Sequence, residues 1–227
     1  MNQSIARSTT FLLISIVGIV FSAVIGVAVL VLADEPQVQE VEIAEYEGDR
    51  LGSVDDFRQN AIRGTQVVDI STYRLQLDGL VEQSASFTYD ELLASPHQRK
   101  LVTLFCVEGW SVKALWDGIP VVDLLTMVKP LPEANTVIFH ASDGYTTSLP
   151  LQTVVDRNLI LADHINGIAL PPAQGFPFML VAEEKWGYKW IRWVVRIELA
   201  DDPDYRGYWE DRGYSNDAEL SESFIGP

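Results

Sequence analysis

The chain contains a single cysteine, Cys106, in the run Leu101-Val-Thr-Leu-Phe-Cys-Val-Glu-Gly-Trp-Ser111. A thiol can fill apolar space, pair with another chain, attack a substrate, or ligate a soft metal. It cannot form a disulfide within a chain that holds no second cysteine. The N-terminal residues point to export, into a setting where thiols usually pair, so a lone exported thiol needs another role. Metal ligation is the role we favour. A second cluster lies at Lys185-Trp-Gly-Tyr-Lys-Trp-Ile-Arg-Trp-Val-Val-Arg196, which gathers four cations in a chain with 16 basic against 32 acidic side chains. Positive charge concentrated against the overall balance suggests an anionic ligand, with Gly187 letting backbone come close. The competing reading is a charged, solvated sheet edge.

Other constellations are missing. The sequence has no phosphate-binding Gly-x-x-x-x-Gly-Lys loop, no Gly-x-Gly-x-x-Gly turn and no Gly-x-Ser-x-Gly elbow. His97, His140 and His164 are too far apart for zinc-ligand spacing and read as structural. A Cys106–His hydrolase pair is a rival with no local signature.

The elements that must position these residues are short. Tyr73–Asp78 alternates apolar and polar side chains, which predicts a half-buried strand ending at Asp78-Gly79. Thr88-Tyr-Asp-Glu91 is a capping box that opens a short helix. Leu101–Cys106 predicts a buried strand that delivers the thiol to a loop. Gly118-Ile-Pro120 predicts a helix start, with the helix running through Met127. Thr136–His140, Phe176–Val181 and Trp190–Leu199 predict further strands. In the last, Ile191, Trp193, Val195, Ile197 and Leu199 would share one face, with Arg192, Arg196 and Glu198 on the other. Short strands, few helices and many Gly/Pro turns predict an α+β domain with a mixed sheet.

The 227 residues are 48% hydrophobic and 10% aromatic, which excludes a disordered chain. A net charge of −16 argues against nucleic acid or an anionic membrane surface as partner. Residues 11–33 carry no charge and are long enough to span a bilayer as a helix. Arg7 precedes them and acidic residues follow, so the N-terminus is expected in the cytoplasm and the domain outside, as a single-pass cell-membrane protein. A cleaved signal ending near Val31-Leu-Ala33 is the alternative. The expected organisation is a cytoplasmic N-terminus at 1–10, a transmembrane anchor at 11–33 and an acidic tether at 34–55. The catalytic domain would follow at 56–200, then an acidic, aromatic tail at 201–227.

Cys106-Val-Glu-Gly-Trp-Ser111 resembles the Cys-Val-Glu-Ala-Trp-Ser segment of sulfite oxidase-like molybdopterin oxidoreductases, nearest the periplasmic methionine sulfoxide reductase branch. Tyr145-Thr-Thr-Ser-Leu-Pro150, Asn166-Gly-Ile-Ala-Leu-Pro-Pro-Ala-Gln-Gly-Phe-Pro177 and Gly187-Tyr-Lys-Trp-Ile-Arg-Trp193 resemble three further segments of that family, in the same order. The resemblance implies a sulfite oxidase-type molybdopterin-binding domain over 56–200, with Cys106 as the ligand of a mononuclear molybdenum. It implies Lys185, Gly187, Tyr188 and Lys189 at the pterin phosphate, with Asn60 and Gln174 as further cofactor contacts. Tyr145 would sit at the reacting centre, although a rim or core tyrosine is an equally ordinary use. Glu108 and Trp110 would shape the metal's surroundings or serve simply as a turn carboxylate and a packed indole.

Two departures bear on the reaction. Met179 stands where relatives carry Arg, and Val107-Glu-Gly-Trp110 replaces the Ala-Gly-Asn-Arg of human-type sulfite oxidases. The expected activity is oxygen-atom transfer, with a small sulfoxide-type substrate reduced rather than sulfite oxidised. The cofactor would be molybdenum–molybdopterin, and the electron partner a separate haem membrane protein or soluble cytochrome. A non-catalytic, anchored binding module built on the same fold is the second expectation. The single Arg7 also leaves the twin-arginine export route incomplete.

Overall fold

The computed structural model describes residues 41–226. The expected anchor at 11–33 lies outside the described residues. Among the described residues no helix is long and apolar enough to cross a membrane.

The chain begins with a small hairpin, β1 (Glu45–Tyr46) and β2 (Asp49–Arg50). It continues through β3 (Arg74–Gly79), β4 (Ala85–Thr88), α1 (Tyr89–Leu93), β5 (Gln98–Phe105) and β6 (Ser111–Pro120). Then come α2 (Val121–Val128), β7 (Thr136–Ala141), β8 (Thr146–Pro150), α3 (Leu151–Asp156) and β9 (Ile160–Ile165). The last strands are β10 (Ile168–Ala169), β11 (Met179–Val181) and β12 (Val194–Ala200).

Two five-stranded sheets carry the domain. One runs β4-β3-β12-β7-β8, with β12 parallel to β3 and antiparallel to β7; the other runs β10-β9-β6-β5, with β11 also pairing β9. This is the mixed-sheet α+β class expected. Leu75 and Leu77 of β3 are fully buried while Arg74 and Gln76 point outward, as the alternation required. The capping box forms as written: Thr88 N donates to Glu91 Oε2 at 2.8 Å, and Glu91 N donates back to Thr88 Oγ1 at 3.2 Å. Trp116, Phe139 and Phe178 are the largest fully buried side chains. Trp116 donates its indole N–H to Val102 O at 3.2 Å, so the ring is buried without a stranded polar atom.

The structure corrects several boundaries. Gly118-Ile-Pro120 does not start a helix; these residues end β6, and α2 begins at Val121. Gly118 is there because a Cβ would lie 2.3 Å from Leu161 O on the neighbouring strand. The last strand begins at Val194, not Trp190, because Trp193 takes φ 53° and a register shift falls between Val194 and Arg196. That bulge buries Val194 beside Ile197 and Leu199 and leaves Val195 half-buried, so the expected single apolar face is broken. Only Met179–Val181 of the expected 176–181 strand is extended.

The segment read as a tether is not free over 41–55. Leu51 is buried, and Gly52 N donates to Lys113 O at 2.9 Å. Asn166, fully buried, donates Nδ2 to Glu42 Oε2 (3.0 Å) and to Gly52 O (2.8 Å), and its Oδ1 accepts from Leu115 N (3.0 Å). The Asn166-Gly pair therefore clamps the N-terminal segment. The 201–226 segment is also docked on the domain, with Tyr208 N donating to Thr146 O at 3.0 Å.

Candidate functional site

The antiparallel pairing of β5 and β6 runs to Phe105 opposite Ser111, so Cys106–Trp110 is the hairpin loop. Cys106 N donates to Trp110 O at 2.9 Å and Gly109 N to Cys106 O at 3.1 Å, with Gly109 at φ +84°. The loop is closed tightly and presents a half-buried thiol to a cavity of about 240 Å³. Burial pushes the Cys106 thiol above its ordinary value. Glu108 stands beside it, Oε2 lying 3.9 Å from Sγ and accepting from Trp110 Nε1 at 3.3 Å. The other oxygen of Glu108 accepts from Asn60 Nδ2 at 3.2 Å. Asn60, Glu108 and Trp110 thus form one connected side of the cavity.

The facing side comes from the turn at Gly187–Lys189 and from the stretch before β11. Residue 186 bridges to Phe105, and a Cβ at Gly187 would meet Phe105 O at 3.1 Å, so glycine permits this close approach to the cysteine loop. Tyr188 is buried and donates its hydroxyl to Ser215 O at 2.8 Å. Gln174 donates Nε2 to Val54 O at 2.9 Å, which fixes the amide at the cavity wall. Met179, in the place where an arginine was expected from the resemblance, is a buried part of the wall.

Cationic charge reaches the cavity through arginine. Arg192 lines it and donates Nη1 to Ala173 O at 2.9 Å, yet makes no ion pair among the described residues. Burial pulls its guanidinium below the ordinary arginine value, opposed by the nearby charge of Asp143. Gly175, at φ +112°, makes room for it, since a Cβ there would lie 3.0 Å from Arg192 Cβ. Arg58 adds a second guanidinium at the exposed rim.

The two lysines behave otherwise. Lys189 is fully buried, with Nζ 2.6 Å from Glu210 Oε1 and 2.9 Å from Ser148 O. Burial lowers its affinity for a proton and the Glu210 charge restores it. Lys185 is also buried, donating to Glu219 Oε1 at 2.5 Å and Asp217 O at 2.7 Å. Neither lines the cavity, and both are held by carboxylates of the C-terminal segment. Of the residues expected at the pterin phosphate, the structure brings Gly187 and Tyr188 to the cavity and turns Lys185 and Lys189 away. Arg192 was missed; its signal was the basic residue before Trp193 in the Gly187–Trp193 segment.

Tyr145 lies in a neighbouring hollow of about 60 Å³ that shares Asn60, Gly187, Tyr188, Trp190, Arg192 and Trp209 with the larger cavity. Its hydroxyl donates to Tyr188 O at 2.6 Å, and burial raises it well above the ordinary tyrosine range. It therefore braces the 187–189 turn.

The donor set fits a sulfur-ligated metal on an anionic organic carrier. A thiolate is a soft ligand. Among the described residues no three His, Cys, Asp or Glu side chains gather as a metal site. Arg192, with no ion pair among the described residues, suits the negative charge of such a carrier.

Comparison with known proteins agrees. The oxidoreductase molybdopterin binding domain family matches residues 62–209. A putative protein-methionine-sulfoxide reductase subunit, YedZ1 of Azospira oryzae, is 34% identical over 148 residues, covering 65% of this chain and 56% of the relative. The uncharacterized oxidoreductase YuiH of Bacillus subtilis is 31% identical over 147 residues, 64% of this chain and 74% of the relative. The catalytic subunit MsrP of the protein-methionine-sulfoxide reductase of Gluconobacter oxydans is 33% identical over 147 residues; the match covers 57% of this chain and 47% of that protein. The sulfane dehydrogenase SoxCD of Paracoccus pantotrophus shares the fold, with a TM-score of 0.62 at 24% identity over 70% of this chain and 44% of that one. The chain thus spans about half the length of the two sulfoxide-reductase relatives. With the family model spanning residues 62–209 and the cavity built around Cys106, this chain belongs to the oxidoreductase molybdopterin binding domain family, whose cofactor is molybdenum-bearing molybdopterin.

Proposed function

We propose that this protein is a sulfoxide reductase that holds molybdenum through Cys106. The reading is carried by one observation: the only thiol of the chain faces a cavity into which Arg192, an arginine with no ion pair among the described residues, also projects. When bound, the cofactor supplies oxygen-atom exchange coupled to two electrons. Cys106 would ligate the metal, with Arg192, Arg58, Asn60, Gln174 and the Gly187 backbone holding the pterin. Glu108, tied to Asn60 and Trp110, fixes the shape of the thiol's surroundings. Met179 and Trp190 exclude water from the inner wall. In the balanced reaction the S–O bond of the sulfoxide breaks, the oxygen leaves as water with two protons, and two electrons reduce the sulfur to a sulfide. Those electrons would come from a separate redox protein, a haem membrane protein or soluble cytochrome. The domain would work outside the cytoplasm, anchored through residues 11–33.

The test is elemental analysis of protein from a molybdenum-replete host, with a reduced-viologen assay on dimethyl sulfoxide and methionine sulfoxide. About one molybdenum per chain and sulfoxide-dependent viologen oxidation support the proposal. Full molybdenum without turnover of any sulfoxide removes the substrate class. The binding-module reading is favoured by the buried Met179 in the cavity wall and requires protein without molybdenum. Membrane fractionation tests the anchor.

A further inference from the structure

We propose that the C-terminal segment, residues 201–226, builds the wall that selects the substrate, with Trp209 and Tyr214 touching its organic arm. This deepens the sulfoxide-reductase reading and rests on it.

The sequence marks this stretch as an acidic tail with scattered aromatics. The structure binds it to the domain on both sides of those aromatics. Upstream, Tyr208 N donates to Thr146 O at 3.0 Å and Ser148 Oγ to Tyr205 O at 3.1 Å. The contact is so close that a Cβ at Gly207 would lie 2.2 Å from Thr146 O. Downstream, Trp186 N donates to Ala218 O at 2.9 Å and Leu220 N to Glu184 O at 3.1 Å. The fully buried Lys189–Glu210 pair and the pair between buried Lys185 and half-buried Glu219 fasten the segment between and beyond these points.

What this fastening holds in position is aromatic. Trp209 and Tyr214 both line the cavity that contains Cys106, and both keep part of their surface open. Their rings are 5.2 Å apart, and Tyr214 meets Tyr188 edge-on at 5.1 Å. Trp209 also lines the adjoining hollow, where no other residue of the segment does. The lining of the cavity therefore combines polar groups, Glu108 among them, with the aromatic surface of the C-terminal rings. A ligand that matches both carries a polar reacting group and an apolar arm. Aromatic rings pack favourably against alkyl and aryl groups. Rings already fixed by packing lose little freedom when they bind. An organic sulfoxide has such an arm, whereas a small inorganic oxyanion has none.

The experiment uses the cofactor-loaded full chain. Trp209→Leu and Tyr214→Leu are compared with the unaltered protein for kcat and KM on dimethyl sulfoxide and methyl phenyl sulfoxide, with reduced viologen as donor. Molybdenum content and Tm are measured alongside. The expected result is a change of about tenfold or more in the kcat/KM ratio of the two substrates, carried mainly by KM, because pocket contacts of this size discriminate by about 10–200-fold. Molybdenum content is expected to stay near that of the unaltered protein. Trp209→Phe and Tyr214→Phe keep a ring at each position, preserving the contact between the two and that of residue 214 with Tyr188, and keep the comparison on folded protein; an intermediate change at Trp209→Phe supports the wall. An unchanged ratio with molybdenum retained overturns the inference, and so does loss of molybdenum with the ratio intact, which would assign the wall to the cofactor. If the molybdenum-loaded unaltered protein reduces neither sulfoxide, the functional reading fails first and takes this inference with it.

Discussion

Replacing Lys189 by Met tests how the C-terminal segment is held. Methionine keeps the length of the apolar stem and removes the ammonium group. In the unaltered protein both partners of the Lys189–Glu210 pair are fully buried at 2.6 Å, and Glu210 Oε1 also accepts from Thr147 Oγ1 at 2.6 Å. Glu210 Oε2 is buried with no hydrogen-bond partner among the described residues. Breaking such a pair from one side leaves a buried charge and costs about 3–5 kcal/mol. The expected loss is about 3–5 kcal/mol, or about 6–20 °C in Tm for a domain of this size. Glu210→Gln added to Lys189→Met should restore most of the loss, since a neutral pair leaves no stranded charge. Thermal melts by circular dichroism on the three variants and the unaltered protein measure all four corners of the cycle. A deficit under about 1 kcal/mol, or one that the added Glu210→Gln does not reduce, would refute the reasoning.

Three further outcomes follow from the site and the sheets. Cys106→Ser is expected to abolish molybdenum retention and turnover while Tm stays within a few degrees, read by elemental analysis and melting; turnover in that variant would remove the metal ligand from the account. Arg192→Met should lower the molybdopterin recovered per chain, whereas Lys129→Ala, which removes only an exposed pair with Glu82, should leave it unchanged; equal recovery from both would take Arg192 out of cofactor binding. Gly79→Ala should cost about 2 kcal/mol or more, because Gly79 sits at φ +88° and a Cβ would lie 2.1 Å from Leu199 O in the parallel β3–β12 pairing. A loss below about 0.5 kcal/mol in denaturant unfolding would contradict that geometry.

The parts of the site written in residue type were legible from sequence. The lone thiol drew attention to Cys106 from residue type alone, and the structure sets it at the edge of a cavity. The capping box at Thr88 and the alternation of β3 were legible because each is a local pattern with a local cause. The lysines show where such reading stops. Lys185 and Lys189 looked like anion ligands beside Gly187, but their carboxylate partners lie at Glu219 and Glu210, in a stretch whose aromatics suggested docking while nothing local matched its carboxylates to the two lysines. Arg192 was hidden for the opposite reason. Strand periodicity set it on an outer face with Arg196, whereas the positive φ of Trp193 and the bulge at Val194–Arg196 break that periodicity. β6 was masked by Gly118-Ile-Pro120, which imitates a helix start; the glycine answers to crowding by Leu161, a contact that no local pattern announces.

The position of β12 has a consequence for how the sheet holds together. It is the middle strand, gripped by β3 on one edge and β7 on the other, although it follows both in the chain by many residues. A polypeptide without it has β3 and β7 with nothing between, so a deletion that reaches β12 would remove a keystone, not a fringe.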